Sequence, residues 1–342
     1  MKKQGSLKKV YKKHKNKVTK IHRLTFYMRF RSAPPTFRTH LNKTYCKLTT
    51  FGIISMAQAI NIINQTNMIN LQKLYQRPKI LERLTGLTPL KFKELLIKLE
   101  PLFAISEAKR KKQTGRQRKI GGGRKLSLGL GETLFMLLLY YRTYTNHVFI
   151  AMVMGIDESN VCRYLRRIQP LLAQVFKIPE RKIQMSEDEI MELIVDATEQ
   201  ETERRDGSGY SGKKKKQTVK TQITVTPNGK IKSVSKSVKG NIHDKKLYDQ
   251  TRSYTDKKVK KRGDLGYVGA FCETPIKKRK GKELTNEEKT NNKQFSKERI
   301  IVEHTIAHLK KFRILSHKFR NKIFSYNLIF KNIAGLRNFV AF

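Results

Sequence analysis

Residues 191–198 read MELIVDAT, an apolar run that ends on an aspartate, Asp196. A run this short, bounded by polar chain, suits a buried strand better than a helix, which needs more length. The stretch therefore predicts a strand with a carboxylate at its tip. Carboxylates are scarce in this chain: its 342 residues carry 74 Lys and Arg against 27 Asp and Glu, a formal charge of +47. Such an excess costs compactness through self-repulsion and calls for a polyanionic partner. Nucleic acid fits first, because basic residues spread over several segments neutralise phosphates and release condensed counterions. A membrane surface fits less well. A bound amphipathic helix would set large apolar residues opposite its lysines, and the basic N-terminus is too broken in pattern for that.

Downstream of the strand, QTVKTQITVTPNGKIKSVSKSV alternates apolar and polar residues on both sides of Pro227, Asn228 and Gly229. Asn-Gly between alternating runs signals a hairpin, with Val219, Thr221, Ile223 and Val225 on one face. GNIHDKKLYDQT then reads as a helix that Asp244 would N-cap. VKKRGDLGYVG reads as a further strand edge and turn, and the chain is helical from about Thr285 to Phe342. Strand, hairpin, helix, strand and helix over residues 189–342 predict a mixed sheet covered by helices, an α/β layer architecture.

Upstream the period is helical. Residues 1–67 form a basic extension with no sustained period, read as disordered: either a flexible arm or sequence ahead of a true start at Met68, the second being preferred. Residues 68–123 hold a helical segment, with Phe92, Leu95, Leu96 and Leu99 at helical spacing, expected to stop near Pro101. A basic linker through GGGRKLSL follows. Within residues 124–180, HVFIAMVM is a short helix, Gly155 to Asp157 a turn, and ESNVCRYLRRIQPLL a second helix capped by Asp157 or Ser159. Two short helices joined by a tight glycine turn make a helix-turn-helix. Its second helix would turn Ser159, Asn160, Arg163 and Arg167, and with them Tyr164, toward the major groove. An ordinary helical hairpin shares this pattern.

Cys46, Cys162 and Cys272 lie far apart without CxxC spacing, which disfavours a zinc knuckle or a disulfide scaffold. LFMLLLYY, residues 134–141, is too short to cross a bilayer, which takes about 20 residues. No secretory signal pattern opens the chain. A soluble cytoplasmic protein is expected.

Three acids sit where chemistry would need them. Asp196 ends one strand, Asp264 in RGDLGY ends another, and Glu303 lies in the helix RIIVEHTIAHLKK. Carboxylates at the ends of neighbouring strands converge at one sheet edge and repel unless cations occupy them. Mg²⁺ suits such oxygen ligands and keeps waters for a phosphate, and two ions about 3.5 to 4 Å apart clamp an in-line phosphoryl displacement. At about 100° per residue Arg299, Glu303 and Lys310 fall within roughly 40° of one another, beside a buried stripe of Val302, Ile306 and Leu309. Taken singly, each acid also has a structural reading. Asp196 and Asp264 can serve turns, and an exposed Arg299–Glu303 pair contributes almost nothing.

These motifs together resemble the DDE transposases of bacterial insertion sequences, in the branch related to the harbinger-type transposases. The likeness spans about residues 68 to 342. It is carried by LTGLTPLKFKEL, YYRTYTNHVFIAMVMGIDESNVCRYLRRI, VDATEQETER, GNIHDKKLYD, GDLGYVG, RIIVEHTIAHLKKFRIL and NLIFKNIAGLRNF. The resemblance implies an RNase H-like catalytic core behind a helix-turn-helix, with Asp196, Asp264 and Glu303 as catalytic and metal-holding acids. It further implies two Mg²⁺ ions, or Mn²⁺ in their place, and double-stranded DNA as partner, both the element's terminal inverted repeats and the target site. A homo-oligomer on DNA and a place at the nucleoid also follow. Related transposases set a tyrosine where this chain has Ser296, while Arg299, Glu303 and Lys310 match. The His243-Asp244 pair is a family feature to which the residues alone assign no role.

Lys213, Lys214, Lys215 and Lys216, next to the first acid in this reading, are candidate DNA backbone contacts with Arg299 and Lys310. His304 and His308 lack the glutamate of HExxH, and GGGRK lacks the full phosphate-loop pattern, so zinc protease and nucleotide hydrolase readings have no footing. The rival from another class is a transposase-derived DNA-binding protein without catalysis.

Overall fold

A computed structural model of the chain describes residues 71–112, 126–183, 192–203, 209–251 and 259–342. The basic extension over residues 1–67 and the GGGRK segment lie outside the described residues. Helices α1 (Leu71–Tyr75), α2 (Pro78–Thr85) and α3 (Pro89–Lys111) come first. Proline sits at the first turn of α2, where its missing N–H costs nothing, and Gly86 ends that helix at φ 80°. Thr88 caps α3 by accepting from the Lys91 amide. Helix α3 does not stop near Pro101 but runs through it to Lys111. Proline there forfeits one helical hydrogen bond. Leu99, fully buried, and Leu102 and Phe103, packed against the core, hold the helix together on either side.

The apolar stretch LFMLLLYY is the middle of α4 (Leu130–Thr143), and all eight of its residues are buried. Among the described residues no helix is long and apolar enough to cross a membrane. Helix α5 (His147–Met154) is capped by Asn146, whose Oδ1 accepts from the Phe149 amide at 2.9 Å. It closes on Gly155 at φ 63°, left-handed backbone that favours glycine. Asp157 caps α6 (Glu158–Phe176), its Oδ1 accepting from the Ser159 amide at 3.1 Å.

The sheet follows: β1 (Glu192–Glu201), β2 (Tyr210–Ser211), β3 (Lys216–Val225), β4 (Ile231–Val234), β5 (Val238–Lys239) and β6 (Lys260–Arg262). The strand order is β2-β3-β1-β6, with β4 and β5 also paired to β3. Strand β1 is antiparallel to β3 and parallel to β6. The hairpin turns at Gly229, φ 84°, as its Asn-Gly signal requires. Helix α7 (Asp244–Thr251) connects β5 to β6. Helices α8 (Asn286–Lys310), α9 (Arg313–Ser316) and α10 (Tyr326–Ala341) complete the chain.

Alternation along β1 gives its two faces different neighbours. Ile194 and Asp196 lie opposite Val225 and Ile223, and these apolar residues join the main core with Val302 and Leu309 of α8. Val195, on the other face, packs with Tyr248 of α7 and with Tyr267. The sheet therefore has helix on both sides. The main core runs without a break from α2–α6 to the sheet and α10. At that junction the buried Asn332 amide donates to Tyr141 Oη and to the Gln169 carbonyl, both at 3.0 Å.

Candidate active site and DNA-binding surface

Asp196 lies within β1, not at its tip. The strand continues to Glu201 because Ala197–Glu201 pair with Thr218–Gln222 of β3, and the Gln200 amide is tied to the carbonyls of Ile314 at 2.8 Å and His317 at 2.6 Å. It is the pairing with β6 that ends short of Asp196: the last partners are Ile194 and Arg262. Asp196 and Asp264 each stand two residues beyond that pair, the first still within β1 and the second in the turn just past the end of the parallel strand β6. This is the convergence at strand ends that the sequence predicts, reached by a different local route.

The electrostatics agree. Burial pushes the Asp196 carboxyl up to about 6, and Asp264 and Asp244 push it the same way; the Ala197 amide, donating to Oδ1 at 2.7 Å, and the Arg299 guanidinium, 3.9 Å from Oδ2, oppose the rise without cancelling it. Asp264 caps the 3₁₀ turn Leu265–Tyr267, its Oδ1 accepting from the Gly266 amide at 2.9 Å. Gly263 before it has no room for a side chain, since a Cβ would fall 2.9 Å from the Tyr267 ring. Arg262 anchors the strand by ion pairs with Glu192 of β1 at 2.7 Å, with Glu273 at 3.3 Å and with Glu298 of α8. One guanidinium thus ties β6 to β1, to the Glu273 segment and to α8.

Helix α8 starts from a capping box, with Thr285 and Glu288 exchanging hydrogen bonds. Val302 and Leu309 are fully buried and Ile306 packs beside them, as its periodicity predicts. Arg299 and Lys310 both act on Asp196: the first is its ion-pair neighbour, and the second lies within electrostatic reach of it. Burial lowers the Lys310 pKa, and Lys214 lowers it further. Glu303 lies between these two cations along the helix and is exposed. Among the described residues no three acid, histidine or cysteine groups are gathered closely enough to hold a metal ion. The structure brings Asp196 and Asp264 together; it does not bring Glu303 to them. The donor chemistry nevertheless fits a divalent cation, because the buried Asp196 carboxyl, raised by its burial and by Asp264 and Asp244 in spite of Arg299, offers hard oxygen ligands whose charge a cation would offset.

Asp244 was expected to cap α7, but that place belongs to His243, whose Nδ1 accepts from the Lys245 amide at 3.3 Å. Asp244 lies in the first helical turn with its carboxylate on Lys220, 2.9 Å from Nζ. It acts on Asp196 directly. Sequence reading missed this residue, Lys220 and Tyr267. The only signal was the polar His-Asp pair itself, since a lysine inside an alternating strand ordinarily faces water.

On α6, Ser159 and Arg163 are exposed and Asn160 and Arg167 are half-buried; Arg163 donates to Asn160 Oδ1 at 3.1 Å. Tyr164 is turned inward instead of outward. It is buried, and its hydroxyl accepts from the Leu128 amide at 3.1 Å, because the helix face that carries Val161, Leu165 and Ile168 also takes its ring. Lys213, Lys214, Lys215 and Lys216 occupy the exposed connection from β2 into β3. Lys216 is paired to Glu201 at 2.7 Å.

A two-helix unit ahead of a sheet that gathers carboxylates describes a DNA-binding nuclease, and the comparisons agree. Residues 126–178 match the helix-turn-helix of DDE superfamily endonuclease, and residues 195–338 match the DDE superfamily endonuclease family itself, whose members generally use divalent metal ions. The protein is thus an endonuclease of the DDE superfamily with a helix-turn-helix DNA-binding region. The chain is 32% identical over 246 residues to the probable transposase for insertion sequence element IS702 of Microchaete diplosiphon, covering 68% of this chain and 86% of that one. It belongs to this family of insertion-sequence DDE transposases. No solved structure matches it.

Proposed function

We propose that this transposase binds the terminal inverted repeats of its own element and performs phosphodiester hydrolysis and strand transfer with Asp196, Asp264 and Glu303 as its acids. The observation that carries this reading is the pair Asp196 in β1 and Asp264 just past the end of the parallel strand β6, the second raising the pKa of the first, with Arg299 and Lys310 within electrostatic reach. The sheet order, with β1 antiparallel to β3, parallel to β6 and covered by helix on both faces, supports an RNase H-like core.

The chain's own groups divide the work. Asp196 and Asp264 would hold the divalent cations, two Mg²⁺ ions in this reading or Mn²⁺ in their place, and Glu303 would close the set when α8 meets DNA. Bound there, such ions lower the pKa of an attacking water and offset charge on the phosphate. Arg299, Lys310 and the Lys213 to Lys216 segment would grip flanking phosphates, and the largely buried setting of Arg299 beside Asp196 strengthens its attraction above that of the exposed lysines. Water oxygen bonds to phosphorus as the bond to the 3′-oxygen breaks, freeing a 3′-hydroxyl. The oxygen of that hydroxyl then bonds to a phosphorus of target DNA as the bond from that phosphorus to the target strand's 3′-oxygen breaks, the proton passing on to the leaving oxygen. Ser159, Asn160, Arg163 and Arg167 on α6 would read the terminal repeat. Pairing of two ends calls for a homo-oligomer at the nucleoid.

A metal-dependent cleavage assay on a duplex carrying the element's end, wild type beside Asp196→Ala, tests this. Wild type alone should cut. Equal binding with no cutting by either protein would make the chain a DNA-binding protein that has lost catalysis.

A further inference from the structure

Lys220 stands on β3 with 6% of its surface exposed, and its ammonium meets three oxygens: the Ile242 carbonyl at 2.8 Å, Asp244 Oδ1 at 2.9 Å and Glu199 Oε1 at 3.1 Å. An ammonium has three protons to donate, so its capacity is filled. Burial lowers the pKa of Lys220, but the bonds to Asp244 and Glu199 outweigh it, and the net shift is upward. Lys220 is therefore a fixed cation beneath the sheet. Glu199 lies directly across from it on β1, so sheet register alone sets one of its partners.

The other partner is Asp244. With Oδ1 on Lys220, its Oδ2 is turned to the turn that follows β6. There it lies 3.0 Å from where a Cβ of Gly266 would stand, the same distance as Asp264 Oδ1. Two carboxylates thus flank one glycine. In that same turn Tyr267 is fully buried and its hydroxyl has no hydrogen-bond partner; burial above all, and then the charges of Asp196, Asp244 and Asp264, push its pKa up. A buried hydroxyl without a partner costs about 1–3 kcal/mol. Here the unmet donor belongs to the same turn as Gly266, whose Cβ position Asp244 and Asp264 both flank, so the turn that carries Asp264 holds an unanswered polar demand.

We propose that Asp244 is a positioning residue of the active site: clamped by Lys220 and Glu199, it fixes the turn carrying Asp264 and completes the anionic pocket that takes a divalent cation between Asp196 and Asp264. This rests on the reading of Asp196 and Asp264 as the cation-holding acids. Lys220 acts only through Asp244, as the partners that orient a metal site's ligands do.

The test is Mn²⁺ binding by the full chain without DNA, followed through the electron paramagnetic resonance signal of free Mn²⁺, with thermal melting of each variant alongside. Asp244→Asn keeps the shape of the side chain and should weaken binding about 10- to 100-fold while melting near the wild type. Lys220→Met should weaken it as well, and the double variant should bind no more weakly than Asp244→Asn, because the two act as one unit. Asp249→Asn, on an exposed pair with Lys245, should bind as wild type. Wild-type affinity in Asp244→Asn while Asp196→Asn abolishes binding would overturn the proposal and leave the reading of the acids standing. Additive losses in the double variant would overturn it too. If the wild type binds no Mn²⁺, or Asp196→Asn binds it unchanged, both the proposal and the underlying reading fall.

Discussion

Arg299 Nη2 lies 3.9 Å from Asp196 Oδ2, across the contact between α8 and β1. At that separation the attraction does not make good the loss of water around the carboxylate, whose pKa is still pushed up from 3.8 to about 6. Since one unit corresponds to about 1.4 kcal/mol, the charged form is disfavoured by roughly 3 kcal/mol. The Arg299 Nε is itself buried without a hydrogen-bond partner. Both groups therefore have unmet demand, one for a cation and the other for an oxygen acceptor, and a metal-bound phosphate would meet both.

This has a consequence for stability. The folded pKa of Asp196 lies above its unfolded value, so the native state binds the extra proton between about pH 4 and 6. Its contribution is most favourable below that window and is lost as pH rises through it. In metal-free protein, Asp196→Asn should therefore stabilise at pH 7.5 by about 1–3 kcal/mol and give no gain at pH 4. Denaturant unfolding of both proteins at the two pH values measures this. An equal difference at both would contradict it.

Cation binding should show the same proton from the other side. A carboxyl that holds its proton up to about pH 6 must release it to bind a metal. Mn²⁺ affinity should be level above pH 7 and fall roughly tenfold per unit below about 6. Calorimetric titration across this range, with proton release read from buffers of different ionisation enthalpy, is the check.

Gly266→Ala would set a methyl group 3.0 Å from both Asp244 Oδ2 and Asp264 Oδ1. One carboxylate must shift by a few tenths of an ångström. A misplacement of about 1 Å can cost about 100-fold in rate, so this smaller shift should slow cleavage by about threefold to tenfold while the melting temperature moves little. Wild-type cleavage by this variant would show that the Asp264 turn is not held to fine tolerance.

The two DNA surfaces should separate by salt. Arg163→Ala, on the exposed face of α6, should cost about 1–3 kcal/mol on the element's own end and little on scrambled duplex. Neutralising Lys213, Lys214 and Lys215 should weaken binding to both and flatten the slope of log affinity against log salt by roughly 0.9 per lost phosphate contact. Fluorescence anisotropy at several salt concentrations distinguishes them. A salt slope unchanged by the lysine variant would take that segment out of the interface.

Much of this was legible in the residues because the signals were local. Alternation over Val219, Thr221, Ile223 and Val225 and the Asn-Gly turn fix the hairpin. The stripe of Val302, Ile306 and Leu309 orients α8. What failed depended on partners distant in sequence. Thr198 to Glu201 look like a polar turn until β3 offers them a ladder, and Pro101 looks like a stop until Leu99, Leu102 and Phe103 show how firmly α3 is packed. Tyr164 reads as an outward contact because nothing nearby reveals the Leu128 amide that donates to its hydroxyl. Lys220 and Asp244 are the clearest case, since a buried ion pair carries no period and becomes visible only when β3 and α7 meet.

The most direct test of the central claim, that Asp196, Asp264 and Glu303 work as one set, is single-turnover cleavage of an end-bearing duplex in Mg²⁺ by Asp196→Asn, Asp264→Asn and Glu303→Gln. Each should bind the duplex as wild type does and cut it roughly a thousand-fold more slowly or worse, and pairwise combinations should lose little more, as members of one catalytic unit do. Cutting by Glu303→Gln at the wild-type rate, with Asp196→Asn and Asp264→Asn inactive, would contradict the claim and send the search for the third acid elsewhere in the fold.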